Sequence, residues 1–128
     1  MPGTLLITDD AMIIREMIKD AVTPAGWSVV GEAANGKQAV ERYLDLRPDV
    51  VTLDLVMPEF DGLYALRGIR AADPEARILV LSALDQTPVL KEAFALGASD
   101  FICKPFDREA LLQTLEMLYE AGLCRTGD

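Results

Sequence analysis

The stretch Val50-Val51-Thr52-Leu53-Asp54-Leu55-Val56-Met57-Pro58 most constrains what this chain can become. Four apolar or β-favouring residues run into an aspartate. Two more apolar residues follow, then a Met-Pro step and the loop Glu59-Phe60-Asp61-Gly62. A continuous apolar run of this length marks a strand buried on both faces, as in a parallel sheet. Pro58 pushes Met57 out of helix, so the chain is in a loop there. Asp54 therefore stands at the carboxyl end of a buried strand, where open α/β sheets place their ligands. A lone acid in that place would as readily cap a helix or finish a turn, so the other strand ends have to decide.

Taken in order, the rest of the chain alternates between two patterns. Thr4-Leu5-Leu6-Ile7-Thr8 is a short apolar run ending in Asp9-Asp10. Ile13, Ile14, Met17, Ile18, Ala21 and Val22 recur at helical spacing and predict an inward face, and Pro24 and Gly26 stop that helix. Ser28–Ala33 is a partly polar strand and is expected at an edge. Asn35 is the expected N-cap of a helix turning Ala39, Val40, Tyr43 and Leu44 inward, with Gln38 as capping-box partner; Arg47-Pro48 ends it. After the Asp54 strand, Gly62 opens a helix with Leu63, Leu66 and Ile69 on one face, closed by Asp73-Pro74. Arg77–Leu81 is a fourth strand, ending in Ser82-Ala83. Thr87-Pro88 supplies an N-cap and a proline at the first helical position. Val89, Leu90, Ala93 and Phe94 form the apolar face of that helix, and Gly97 supplies a left-handed end. Ser99–Cys103 is the last strand, followed by Lys104-Pro105. Asp107 caps a final helix with Leu111, Leu115 and Leu118 on one side, finished at Gly122. Five strands alternating with helices over short connections predict an α/β domain, (βα)5, with a parallel sheet, right-handed crossovers and helices on both faces.

In such a sheet the strand ends share one edge. Asp9, Asp10, Asp54, Ser82 and Lys104 would meet there. Three carboxylates so close resist joint ionisation. A hard divalent cation with oxygen ligands relieves that repulsion, and Mg²⁺ suits a site with few protein ligands and several waters. Ser82 and Lys104 would hold an oxyanion beside it, an arrangement suited to phosphoryl transfer onto a carboxylate. Composition narrows the alternatives. There is no histidine, which removes His-ligated metals, Ser-His-Asp triads and imidazole acid–base chemistry. A net charge of −9 argues against nucleic acid as a direct partner. Cys103 and Cys124 are too few and too far apart for a zinc site; Cys103 is expected in the core and Cys124 as a free thiol. No apolar run approaches a membrane span, and Met1-Pro2-Gly3-Thr4 lacks the basic segment of a signal peptide. A cytoplasmic protein of one domain, residues 1–128, is the expectation.

The chain resembles a response-regulator receiver domain of two-component signalling. The likeness rests on Asp9-Asp10 after the first strand, Asp54-x-x-Met57-Pro58 after the third, Ser82-Ala83 after the fourth and Lys104-Pro105-Phe106 after the fifth. It spans Leu5 to about Leu118. The resemblance implies a doubly wound sheet of strand order 2-1-3-4-5, with Asp54 as phosphoacceptor. Mg²⁺ would be bound by Asp10, Asp54 and the backbone carbonyl of Val56, with Asp9 acting largely through water. Ser82 would hydrogen-bond the phosphoryl group and Lys104 would pair with it. Phe101 would be the aromatic switch that turns inward as Ser82 moves, and the Lys104–Pro105 peptide bond would be cis.

The same resemblance implies a switch rather than an enzyme. A sensor histidine kinase or phosphotransfer protein would donate the phosphoryl group. The face of helix 4, strand 5 and helix 5, roughly Thr87 to Leu118, would then bind a protein target, with phosphorylation-dependent homodimerisation as a further possibility. Some positions depart from the pattern. Phe101 has no hydroxyl, and Ser82 stands where threonine is commoner. Val56 and Leu84 are apolar where many relatives carry polar groups, and they offer no side chain to orient an attacking water. The aspartyl phosphate is therefore expected to be long-lived; Val56→Asn should speed phosphate loss, and an unchanged or slower decay would refute the idea.

Other functions fit less well. A dehalogenase-type Mg²⁺ phosphatase would carry a second acid where this chain has Val56. A flavodoxin-like FMN binder would need a hydroxyl- and glycine-rich loop in place of Asp9-Asp10-Ala11-Met12. Within the receiver reading, a stand-alone chemotaxis-type regulator is favoured by the short tail after Tyr119. The alternative is a receiver domain excised from a longer transcriptional regulator.

Overall fold

A computed structural model describes residues 3–83 and 87–126, with side chains through residue 122. The first strand, β1 (Thr4–Thr8), leads to α1 (Met12–Val22) and a 3₁₀ turn (Thr23–Ala25). Next come β2 (Ser28–Ala33), α2 (Gly36–Leu46), β3 (Val50–Asp54) and α3 (Gly62–Ala72). The last four elements are β4 (Ile78–Ala83), α4 (Thr87–Ala95), β5 (Asp100–Lys104) and α5 (Arg108–Thr126). All strand pairs are parallel and the order is β2-β1-β3-β4-β5. The expected doubly wound sheet is present, with β3 at its centre and β2 at an edge.

Strand parity separates the core into two layers, because successive side chains point to opposite faces. Leu5, Ile7, Val50, Leu79 and Leu81 pack with Ile18, Val22, Leu111 and Leu115 of α1 and α5. Leu6, Val51, Leu53, Ile78 and Val80 pack with Ala39, Tyr43, Leu66, Ile69 and Ala93 of α2, α3 and α4. All five residues of β3 are buried, which is why its sequence shows no alternation.

The helix ends follow local chemistry. Asn35 Oδ1 accepts from the Gln38 N–H at 2.9 Å. Gln38 Oε1 reaches one residue further back than expected, accepting from Ala34 N at 2.8 Å. Asp61 caps α3 through the Tyr64 N–H, and Asp107 accepts from Ala110 N at the start of α5. Gly97 adopts φ 106°, a left-handed value that glycine takes without Cβ strain.

Several expectations are corrected. Ile13 (68% exposed) and Met17 face solvent rather than core. The buried arc of α1 runs through Ile18, Ala21 and Val22, with Ile14 at its margin. Leu44 is likewise exposed on α2, and Phe94 on α4. Cys103 is only partly buried, because β5 is an edge strand with one flank unpaired. Thr87 is the first residue of α4, so Pro88 takes the second position. A proline is tolerated there because first-turn N–H groups have no intrahelical acceptor. Gly122 does not end α5, which runs on to Thr126. A Cβ at Gly122 would meet only Arg77 Nε at 3.5 Å, so nothing there requires a chain break. Leu84 and the Cys124 side chain lie outside the described residues. At the start of the chain Gly3 lies against Asp49 and Tyr119; a Cβ there would approach the Tyr119 ring to 2.7 Å. No described helix is long and apolar enough to cross a membrane.

Candidate functional site

The carboxyl edge of the sheet gathers the acids. Asp9 follows β1 directly, Asp54 ends β3, and the β1–β3 pairing brings the two strand ends together. Carboxylate oxygens of Asp9, Asp10 and Asp54 all lie within 4.8 Å of one another. Asp9 and Asp54 are buried, at 2% and 6% exposure, whereas Asp10 opens to solvent. Lys104, the last residue of β5, reaches in from the far side of β4. Its Nζ donates to Asp9 Oδ2 at 2.8 Å and stands 3.4 Å from Asp54 Oδ1.

The backbone around these groups is tightly held. Asp9 N–H donates to the Ala33 carbonyl at 3.0 Å, and Asp9 Oδ1 accepts from Ala11 N at 2.9 Å. From the backbone, Asp54 Oδ1 receives a long 3.4 Å contact from Val56 N. The first turn of α3 closes on the Asp54–Leu55 backbone, where Gly62 N donates to Leu55 O at 3.0 Å. A Cβ at Gly62 would strike the Asp54 carbonyl oxygen and lie 2.6 Å from Leu55 Cα. The sequence marks Gly62 only as a helix opener; its need to be glycine becomes visible once α3 is seen over β3.

Electrostatics set the edge apart. Burial, reinforced by the charge of Asp9, pushes the Asp54 carboxyl up to about 6, and Lys104 and the Val56 N–H only partly offset this. Burial pulls the Lys104 ammonium down, but the hydrogen bond to Asp9 and the charges of Asp54 and Asp9 outweigh it and hold its pKa above the ordinary 10.5. A cluster of acids built only from hard oxygen donors suits a divalent cation. Asp9, Asp10 and Asp54 could hold a metal ion.

The remaining expected residues lie at different depths and distances from this centre. Ser82 is buried next to Leu81, which pairs with Asp54 across the β3–β4 ladder. The side chain of Val56 is 52% exposed. Phe101 lies apart from the acids. It is 38% exposed on β5 and meets Phe94 edge-to-face, ring centroids 5.8 Å apart. The Lys104–Pro105 peptide bond is cis. Arg15 escapes notice in the sequence, although its Nη1 donates to the Asp9 carbonyl at 2.7 Å.

Comparison with known proteins points one way. The family described as "Response regulator receiver domain" matches residues 5–116. The chain is 48% identical over 115 residues to chemotaxis protein CheY of Thermotoga maritima, covering 90% of this chain and 96% of that protein. It is 49% identical over 112 residues to chemotaxis protein CheY of Listeria monocytogenes, covering 88% and 94%. Among solved structures, the CheX-CheY-BeF3-Mg+2 complex of Borrelia burgdorferi contains a chain 34% identical to this one. The two superpose with a TM-score of 0.86 over 93% of this chain and 90% of that one.

Proposed function

The chain belongs to the response regulator receiver family, and on that premise we propose that Asp54 accepts the phosphoryl group. The protein is a phosphorylation-activated response regulator of two-component signalling. The observation that carries the reading of Asp54 is its place between Asp9, Asp10 and Lys104 at one edge of the sheet.

Each residue has a role in that reading. A carboxylate oxygen of Asp54 attacks phosphorus while the bond from phosphorus to the donor's imidazole nitrogen breaks, and the electron pair leaves with the imidazole. Asp10, Asp54 and the Val56 carbonyl would hold Mg²⁺. Both Asp9 oxygens already accept hydrogen bonds, which supports contact with the cation through water. A cation held there would neutralise charge on the carboxylates and on the incoming phosphoryl oxygens. Lys104 pairs with the phosphoryl group and Ser82 donates its hydroxyl to it. As Ser82 moves, Phe101 leaves its exposed seat against Phe94 and turns inward, which changes the α4–β5–α5 face. The donor is a histidine kinase or phosphotransfer protein and the target is a protein bound at that face. The domain spans residues 1–128, turns over no separate substrate and acts in the cytoplasm. A stand-alone, chemotaxis-type role is supported by matches over nearly the full length of the CheY relatives.

Intact mass after incubation with acetyl phosphate and Mg²⁺ tests the reading. A gain of one phosphoryl group is expected, absent in chelator and absent in Asp54→Asn. No gain in a protein that binds Mg²⁺, or an equal gain in Asp54→Asn, would overturn it.

A further inference from the structure

The peptide that carries the exposed acid of the cluster, Asp10, is held by a side chain outside the cluster. Asp9 and Asp10 share a peptide plane, and the plane sets the direction in which the Asp10 side chain departs. One end of the Asp9 residue is fixed by its N–H on Ala33 O and its carboxylate on Ala11 N and Lys104. The carbonyl end is fixed by Arg15, which reaches back past the start of α1 to donate from Nη1 to Asp9 O at 2.7 Å. The guanidinium is itself oriented. Its Nε donates to Glu32 Oε1 of β2 at 2.9 Å, and Lys19 Nζ holds the other Glu32 oxygen at 2.7 Å. The Arg15 side chain is only 16% exposed, and a planar fork with two fixed acceptors leaves it little rotational freedom.

We propose that Arg15, oriented by Glu32, is a positioning residue for the divalent cation, acting through the Asp9–Asp10 peptide rather than by contact. Groups that orient metal ligands from behind typically change affinity by about 10- to 100-fold when removed. The inference rests on the proposed metal site, and it carries a sign that separates it from simple electrostatics. Arg15 is a cation behind an acidic cluster. If charge alone mattered, removing it would tighten the binding of another cation. If its hydrogen bonds aim Asp10, removing it weakens binding.

Calorimetric titration with Mg²⁺ decides the matter, in wild type, Arg15→Met, Arg15→Lys and Glu32→Gln, each checked for folding by circular dichroism and thermal unfolding without metal. Arg15→Met is expected to weaken Mg²⁺ by about tenfold. Arg15→Lys keeps the charge but lacks the planar fork that aims at both acceptors, and should fall by several-fold. Glu32→Gln, which leaves Arg15 in place without its ionic partner, should show the smallest loss. Unchanged or tighter binding in Arg15→Met, or full affinity in Arg15→Lys, would overturn the proposal. If Arg15→Met does not fold, Arg15→Lys and Glu32→Gln decide, and wild-type affinity in both overturns it. Wild-type protein that binds no Mg²⁺ would bring down the metal site as well, an outcome distinct from loss of the Arg15 effect alone.

Discussion

Two carboxylates at opposite ends of the same sheet are treated in opposite ways. At the carboxyl edge Asp54 is buried beside Asp9, and its proton is held up to about 6. At the amino edge Asp73, the C-cap of α3, accepts the Tyr43 hydroxyl at 2.6 Å. That hydrogen bond leads the causes that hold the Asp73 carboxyl below its ordinary 3.8, against the opposing pull of burial. Burial and the Asp73 contact in turn drive the Tyr43 hydroxyl well above its ordinary value. One edge keeps an acid short of partners; the other gives an acid the partner it needs. The first arrangement costs stability and leaves a demand that an added cation and phosphoryl group can meet. The second stabilises the fold and asks for nothing further. An edge used for chemistry can thus be recognised by its unmet needs, and an edge used for anchoring by its completed contacts.

The contrast is most exposed to test at Asp54. A folded pKa near 6 against 3.8 opposes ionisation by ~3 kcal/mol. A carboxyl raised in this way destabilises the fold once ionised. Without metal, stability should fall as pH rises from about 4 to about 6 and level off above. Asp54→Asn, which also gives up the pairing with Lys104, should raise metal-free stability at pH 7 by about 2 kcal/mol in urea unfolding with chelator present. Loss of stability in that variant would break the contrast.

Tyr43→Phe probes the other edge. Removing a hydroxyl from a partly exposed carboxylate should cost about 1.5 kcal/mol at pH 7. Asp73, lowered in the fold, contributes stability that is present above its unfolded value and lost as pH falls through its folded value. The gap between Tyr43→Phe and wild type should therefore close below about pH 4, while Mg²⁺ affinity stays at the wild-type level. A gap that persists in strong acid would mean the hydroxyl acts through packing.

The smallest effect is expected at Thr4. Its N–H donates to Asp49 Oδ2 at 2.8 Å, and its hydroxyl accepts from Asp49 N at 3.0 Å. Thr4→Ala loses only solvent-exposed hydroxyl contacts and should lower the thermal midpoint slightly, by about 0.5 kcal/mol in stability. A larger loss would mean that the amino edge acts as one cooperative unit.

What could be seen in the sequence followed from period and punctuation. The apolar run through Val50–Leu55 and the acids closing two strands placed Asp9 and Asp54 on one edge, because parallel strands end on the same side. Ile13, Met17 and Leu44 misled because a chain rich in apolar residues has more of them than one helix face can bury. The Gln38 contact slipped by one residue because a long side chain can serve either of two neighbouring N–H groups. Arg15 and Glu32 lie seventeen positions apart, and only the β1–β2 pairing makes them partners. Gly62 needed the third dimension for the same reason: what excludes a side chain there is the backbone of another element.

The crowding of Gly3 against Tyr119 has a practical corollary. β1 begins and α5 arrives at the amino edge, on the opposite side of the sheet from the acids. A surface tether attached to the amino edge beside Gly3 would hold the protein from that side. Held there, the protein would keep its acidic edge turned outward and open to whatever approaches.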